Sequence, residues 1–141
     1  MDPGLVACQG EARTLTLKDV HGAYGRRIAY AADVGNWFAG GWDLLVTPSA
    51  SVAAFPVGRQ QPGHWPSDAW DWLAWAEFSY PFNLAHAPAA SVPCGFTPGG
   101  LPVGMQIAGP RHADALVLQA AKAFLAERPV SYSAVEQLGV P

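Results

Sequence analysis

Apolar residues recur at three- and four-residue spacing from Thr16 to Phe38: Val20, Tyr24, Ile28, Ala31, Val34 and Phe38. That period places them on one face of a helix. Thr16 followed by Asp19 resembles a capping box, with Asp in place of Glu. Arg26 and Arg27 fall off the apolar stripe, and Gly40-Gly41 ends the helix. Asp43-Leu44-Leu45-Val46-Thr47, bounded by Gly41 and Pro48, fits a short strand buried on both faces. Residues 48–68 carry four prolines and form a loop. Asp68 to Phe78 fits a short helix capped by Ser67 or Asp68, with Trp72, Trp75 and Ala76 on one face.

Two more apolar runs follow, Ala89 to Phe96 and Pro102 to Ala108. Thr97-Pro98-Gly99-Gly100 between them is a turn signal, so the runs pair as an antiparallel hairpin. Pro93 has no N–H for a ladder and marks a bulge or an unpaired position. Ala113 to Glu127 is a helix with Leu116, Ala120 and Phe124 along one face and Val117, Ala121 and Leu125 beside it. Asp114 in its first turn and Arg128 at its end suit the helix dipole, and Pro129 stops it. Residues 1–13 give no element and read as an uninformative leader; the tail after Val130 is expected on the surface. The order is helix, strand, long loop, short helix, two strands, helix: an α/β chain whose apolar sheet needs helices on both faces.

Only 13% of the 141 residues are charged and 50% are hydrophobic. Soluble domains carry about 25% charge, and a small domain has much surface to cover with polar groups. Much of this surface is therefore expected to lie against other protein. A net charge of −3 is too weak to imply nucleic acid or an acidic membrane as partner. No apolar run approaches the roughly 20 residues of a membrane span. No secretory signal is visible, and two cysteines, Cys8 and Cys94, make no disulfide framework. A cytoplasmic location is the expectation.

Three ordered landmarks carry a resemblance. They are Asp43-Leu44-Leu45-Val46-Thr47-Pro48; Pro81-Phe82-Asn83-Leu84 followed by Pro88-Ala89; and Ser91-Val92-Pro93-Cys94-Gly95-Phe96 with Gly100-Leu101-Pro102-Val103-Gly104-Met105-Gln106-Ile107-Ala108-Gly109-Pro110. Together with the helix before the first of them, they resemble the C-terminal portion of the amidase signature family, with residues 14–141 matching part of a single amidase domain. The resemblance implies a mixed sheet with helices on both faces. It implies hydrolysis of a linear amide to a carboxylate plus ammonia or an amine, through an acyl-enzyme on Ser. It implies a small-molecule amide substrate and no metal or organic cofactor. The family often has Gly where this chain has His86. The alternatives are the A subunit of a tRNA-dependent amidotransferase, or a non-catalytic binding or structural fragment. A truncated reading frame or decayed gene is expected, with a missing N-terminal half or a homo-oligomer as partner.

The family's chemistry uses a Ser nucleophile, a bridging Ser and a neutral Lys that takes the proton, with backbone amides for the oxyanion. This sequence has no Gly-Gly-Ser-Ser run and no Gly-x-Ser-x-Gly elbow. Its two lysines, Lys18 and Lys122, sit at a helix start and on a solvated helix face. No catalytic residue is assigned. The resemblance implies instead a pocket wall: Trp75, Phe78, Ser79, Tyr80, Phe82 and Asn83. Aromatic residues there suit an apolar acyl or aryl group or equally a core; Asn83 suits a turn-fixing role as well as a substrate contact. His21, His64, His86 and His112 show no metal-ligand spacing, and Cys94 reads as a small buried hydrophobe. The cluster Trp65, Trp70, Trp72 and Trp75 would make a sugar platform only with two coplanar, exposed rings.

Overall fold

The structure, a computed structural model, describes residues 3–65 and 74–130. In order it has α1 (Pro3–Ala12), α2 (Leu17–Ala39), β1 (Leu45–Pro48), a 3-10 turn (Ala74–Ala76), α3 (Tyr80–Ala85), β2 (Ala89–Phe96), β3 (Pro102–Ala108) and α4 (Asp114–Glu127). The three strands form one antiparallel sheet in the order β1-β3-β2. Most of the helix expected over 68–78, with Ser67, Trp70 and Trp72, lies outside the described residues, as does the tail from 131; the described end is the 3-10 turn.

α2 starts where its cap signal predicts. Thr16 adopts an extended conformation, the Asp19 N–H donates to its Oγ1 at 3.3 Å, and the Thr16 N–H donates to the Asp19 carboxylate at 2.9 Å. The Thr16 hydroxyl also donates to the Asp19 carboxylate at 2.5 Å, and this bond, together with the one from the Thr16 N–H, holds the Asp19 carboxyl below its ordinary pKa. Gly40 and Gly41 close the helix, Gly41 at φ 110. α1 stands where the sequence offered no element, because its apolar residues are scattered around the helix and leave no stripe to detect.

The hairpin also matches its signals. Gly100 sits at φ 80, the Thr97 N–H donates to the Leu101 carbonyl at 2.8 Å, and the Gly100 N–H donates to the Thr97 carbonyl at 2.9 Å. The pairing slips between Pro93 and Gly95, which makes Cys94 the extra residue of a bulge at the proline; it is exposed there, not buried as its small apolar character led one to expect.

Pairing fixes the two faces. Val46, Ile107 and Ala90 stand in one row across the sheet, and Thr47, Gln106 and Ser91 in the next row on the opposite face. On the first face Val92 and Ile107 pack with Ala121 of α4; Leu44, Ala90, Met105, Ala120 and Phe124 surround them. Gly109 lets α4 come this close, since a Cβ there would meet Val117 Cγ2 at 2.8 Å. α4 buries Val117 and Ala121, while Leu116 and Leu125 of its expected apolar face stay partly exposed at 36% and 38%. The opposite face carries α2 and α3, so helices do lie on both sides.

β1 departs from the sequence reading. It is not buried on both faces: Val46 is 55% exposed, because β1 is an edge strand that α4 does not reach across. The α2 stripe departs too. Phe38 is buried, but Val20, Tyr24 and Ile28 are 40%, 59% and 70% exposed. Among the described residues eight hydrophobics are buried, while eighteen large ones are exposed.

α3 occupies the segment expected as an Asn-containing turn. The turn itself is made by His86, the C-terminal cap of α3, at φ 55 and ψ 33. This left-handed conformation is one that glycine adopts without a Cβ penalty. The left-handed penalty of about 1–2 kcal/mol, less glycine's extra freedom in the unfolded chain, leaves His86→Gly expected to raise stability by about 0.5–1 kcal/mol, read as a higher urea midpoint at unchanged slope. A lower midpoint would show that the imidazole makes compensating contacts.

Candidate substrate-pocket wall

The polar row on the second face is the anchor of the candidate site. Gln106, 9% exposed, is the buried polar side chain of the described structure. Its Nε2 donates to Thr47 Oγ1 at 3.1 Å and to the Phe78 carbonyl at 2.9 Å. Thr47 Oγ1 in turn donates to the Pro48 carbonyl at 3.0 Å. Beside this row Ser49 Oγ and Ser91 Oγ share a hydrogen bond at 2.7 Å. Gly104 makes room for that pair, since a Cβ there would stand 2.8 Å from Ser49 Oγ. A central strand thus holds the incoming 74–79 segment by one amide group, a strong restraint because both acceptors would otherwise lose a partner away from water.

Phe78 and α3 then close a cavity of about 230 Å³ against α2 and β1. Phe78, Pro81 and Phe82 face Tyr30, Val34, Trp37 and Phe38 of α2, with Leu45 and Thr47 of β1 as floor. Arg27 ties the two helices together: its Nε donates to the Leu84 carbonyl at 3.2 Å and its Nη2 to the Asn83 carbonyl at 3.3 Å. Two orphan carbonyls near the end of α3 are satisfied this way.

The six residues expected in the wall divide. Phe78 and Phe82 meet in the cavity, Phe82 being buried at 7% exposure. Trp75 turns elsewhere: its Nε1 donates to the Gln60 carbonyl at 3.0 Å, and its ring meets Phe55 edge-on at 5.3 Å. Ser79 precedes α3 and its carbonyl accepts from the Asn83 N–H at 3.3 Å. Asn83 lies exposed on α3, and Tyr80 is 38% exposed outside the cavity lining. Gln106, Thr47 and the α2 residues were missed. A glutamine inside the apolar run Met105-Gln106-Ile107 was the available signal, since a buried amide demands partners. Of the tryptophan cluster, Trp65 lies near His64 at 71° between rings. The coplanar pair is instead Trp37 with Trp42, 5.7 Å apart at 9°, stacked on each other so that their facing sides are covered.

Among the described residues no group of His, Cys, Asp and Glu is placed to hold a metal ion, and no helix is long and apolar enough to cross a membrane.

The chain belongs to the Amidase family, whose model matches residues 10–118. It is 41% identical over 138 residues to an acylamidase of Rhodococcus erythropolis, covering 92% of this chain and 27% of that protein. It is 36% identical over 80 residues to the A subunit of the glutamyl-tRNA(Gln) amidotransferase of Halothermothrix orenii, covering 57% and 16%. Among solved structures it resembles a bacterial aryl acylamidase of the amidase signature family, with a TM-score of 0.78 and 27% identity over 100% of this chain and 29% of that one. In fold alone it resembles 6-aminohexanoate cyclic dimer hydrolase, with a TM-score of 0.80 at 24% identity. The chain spans about a quarter of the length of the acylamidase it matches.

Proposed function

We propose that this chain forms the apolar wall of the acyl or aryl pocket in an amide hydrolase, Phe78 and Phe82 being the residues of the wall that meet the substrate's apolar group. The nucleophilic Ser, the bridging Ser and the Lys come from polypeptide outside this sequence, which carries none of the motifs that would supply them. The observation that carries the reading is the family match together with the uncharged, aromatic- and aliphatic-rich lining of the 230 Å³ cavity. Thr47, in its floor, already spends its hydroxyl on Gln106 and Pro48. A glutamine substrate, with a charged amine and carboxylate, would find no charged partner there, and burying such groups unpaired is costly. An apolar acyl or aryl amide loses nothing by entering. That favours an acylamidase-like role over the amidotransferase one.

Two measurements test this. The chain alone is expected to leave benzamide unhydrolysed at the buffer rate; turnover abolished by a point substitution in this chain would overturn the assignment of catalysis elsewhere. In a full-length chimera, this chain replaces the matching segment of the Rhodococcus acylamidase. There Phe78→Ala is expected to raise KM for aryl amides about tenfold relative to acetamide, the scale of pocket discrimination by apolar contact. Equal effects on both substrates would remove Phe78 from the pocket.

A further inference from the structure

α2 is capped, regular and anchored by Arg27, yet half its apolar stripe faces outward. Val20, Tyr24 and Ile28 are 40%, 59% and 70% exposed, and Leu17 in the first turn is 74% exposed. The same face opens into a second cleft of about 580 Å³, floored by α2 and by Ala85 and Ala87 and rimmed by Arg27, His86 and Arg111. A continuous exposed apolar surface of this kind marks a contact with other protein.

We propose that this cleft and the exposed half of α2 form the docking surface for amidase polypeptide outside residues 1–141, specifically for an apolar segment that brings a carboxylate to Arg111. The proposal rests on the amidase reading above. Three observations select this occupant. The acylamidase that the chain matches is nearly four times longer than the stretch covered, so most of such an enzyme remains to be placed around these elements. The rim is basic, with Arg27 and Arg111 and no acidic residue in the lining, so an incoming carboxylate is the complementary charge. Arg27 already directs Nε and Nη2 to two carbonyls, which leaves Arg111 as the group for the partner's charge. A second copy of this chain fits poorly, because a two-fold contact would set the same basic rim against itself.

The test is thiol labelling, whose readout does not depend on activity. In a background with Cys8→Ser and Cys94→Ser, Ile28→Cys is compared with Leu118→Cys, which is 64% exposed on α4. Each is made in the 141-residue chain and in the full-length chimera. Ile28→Cys is expected to react at least about tenfold more slowly in the chimera than in the chain, as burial limits access to local opening. The slowing must exceed that of Leu118→Cys; equal rates for Ile28→Cys in the two proteins would overturn the proposal. Arg111→Glu is expected to lower the melting temperature of the chimera and leave that of the chain unchanged; an equal fall in both would assign Arg111 to the chain's own fold. Should the chimera aggregate, the isolated chain still decides. Ile28→Glu should reduce binding of an apolar dye several-fold at unchanged urea midpoint, as an exposed residue must. Unfolding by that change, or an isolated-chain dimer that it abolishes, would overturn the proposal.

Discussion

Ile107→Ala is expected to destabilise the chain by about 2–4 kcal/mol, the cost of deleting a buried aliphatic side chain and leaving a cavity. Ile107 is 3% exposed and packs with Val92 and Ala121 between the central strand and α4. Nothing nearby closes the gap easily, because Gly109 already brings Val117 as near as its missing Cβ allows. With only eight buried hydrophobics among the described residues, this loss is a large fraction of the roughly 5–15 kcal/mol that holds an ordinary domain together. The urea midpoint should fall steeply for Ala and by about 0.5–1.5 kcal/mol equivalent for Val. Equal effects of the two substitutions would mean that α4 collapses onto the sheet and fills the space.

Gln106→Leu is expected to cost about 1–3 kcal/mol, since the Phe78 carbonyl and Thr47 Oγ1 both lose their donor. Leu matches the size of the side chain but supplies no N–H. The damage should be local as well as global: the 74–79 segment is tied to β3 through this amide, so hydrogen exchange at Phe78 to Phe82 should quicken more than in α4. Uniform quickening across both regions would show that Gln106 serves general stability and does not position the cavity wall.

The parts legible in the sequence are those fixed by local chemistry. The capping box at Thr16 and Asp19, the Thr97–Gly100 turn and the bulge after Pro93 each depend on residues within a few positions of one another. The two elements that escaped depend on something farther away. α3 is six residues long with Pro81 in its first turn and Asn83 at its centre, a composition that reads equally as a turn; Arg27, 56 and 57 residues away, ties down its carbonyls. α1 has no apolar stripe at all. The one-sided burial of β1 was hidden for a related reason. An apolar run looks the same whether one helix covers it or two, and Val46 stays open only because β1 is at the sheet's margin. At the candidate site, Phe78 and Phe82 line the cavity, whereas the Trp75 indole N–H donates to the Gln60 carbonyl and its ring lies outside that lining. The α2 half of the cavity joins through tertiary packing, which spacing along the chain does not reveal.

The two margins of the sheet each contain a proline, Pro48 in β1 and Pro93 in β2. A ring nitrogen without hydrogen interrupts the ladder that an invading strand from another molecule would need. Concentrated samples should therefore clump through greasy helix flanks rather than polymerise into fibrils, and mild detergent, more than added salt, should keep them dispersed.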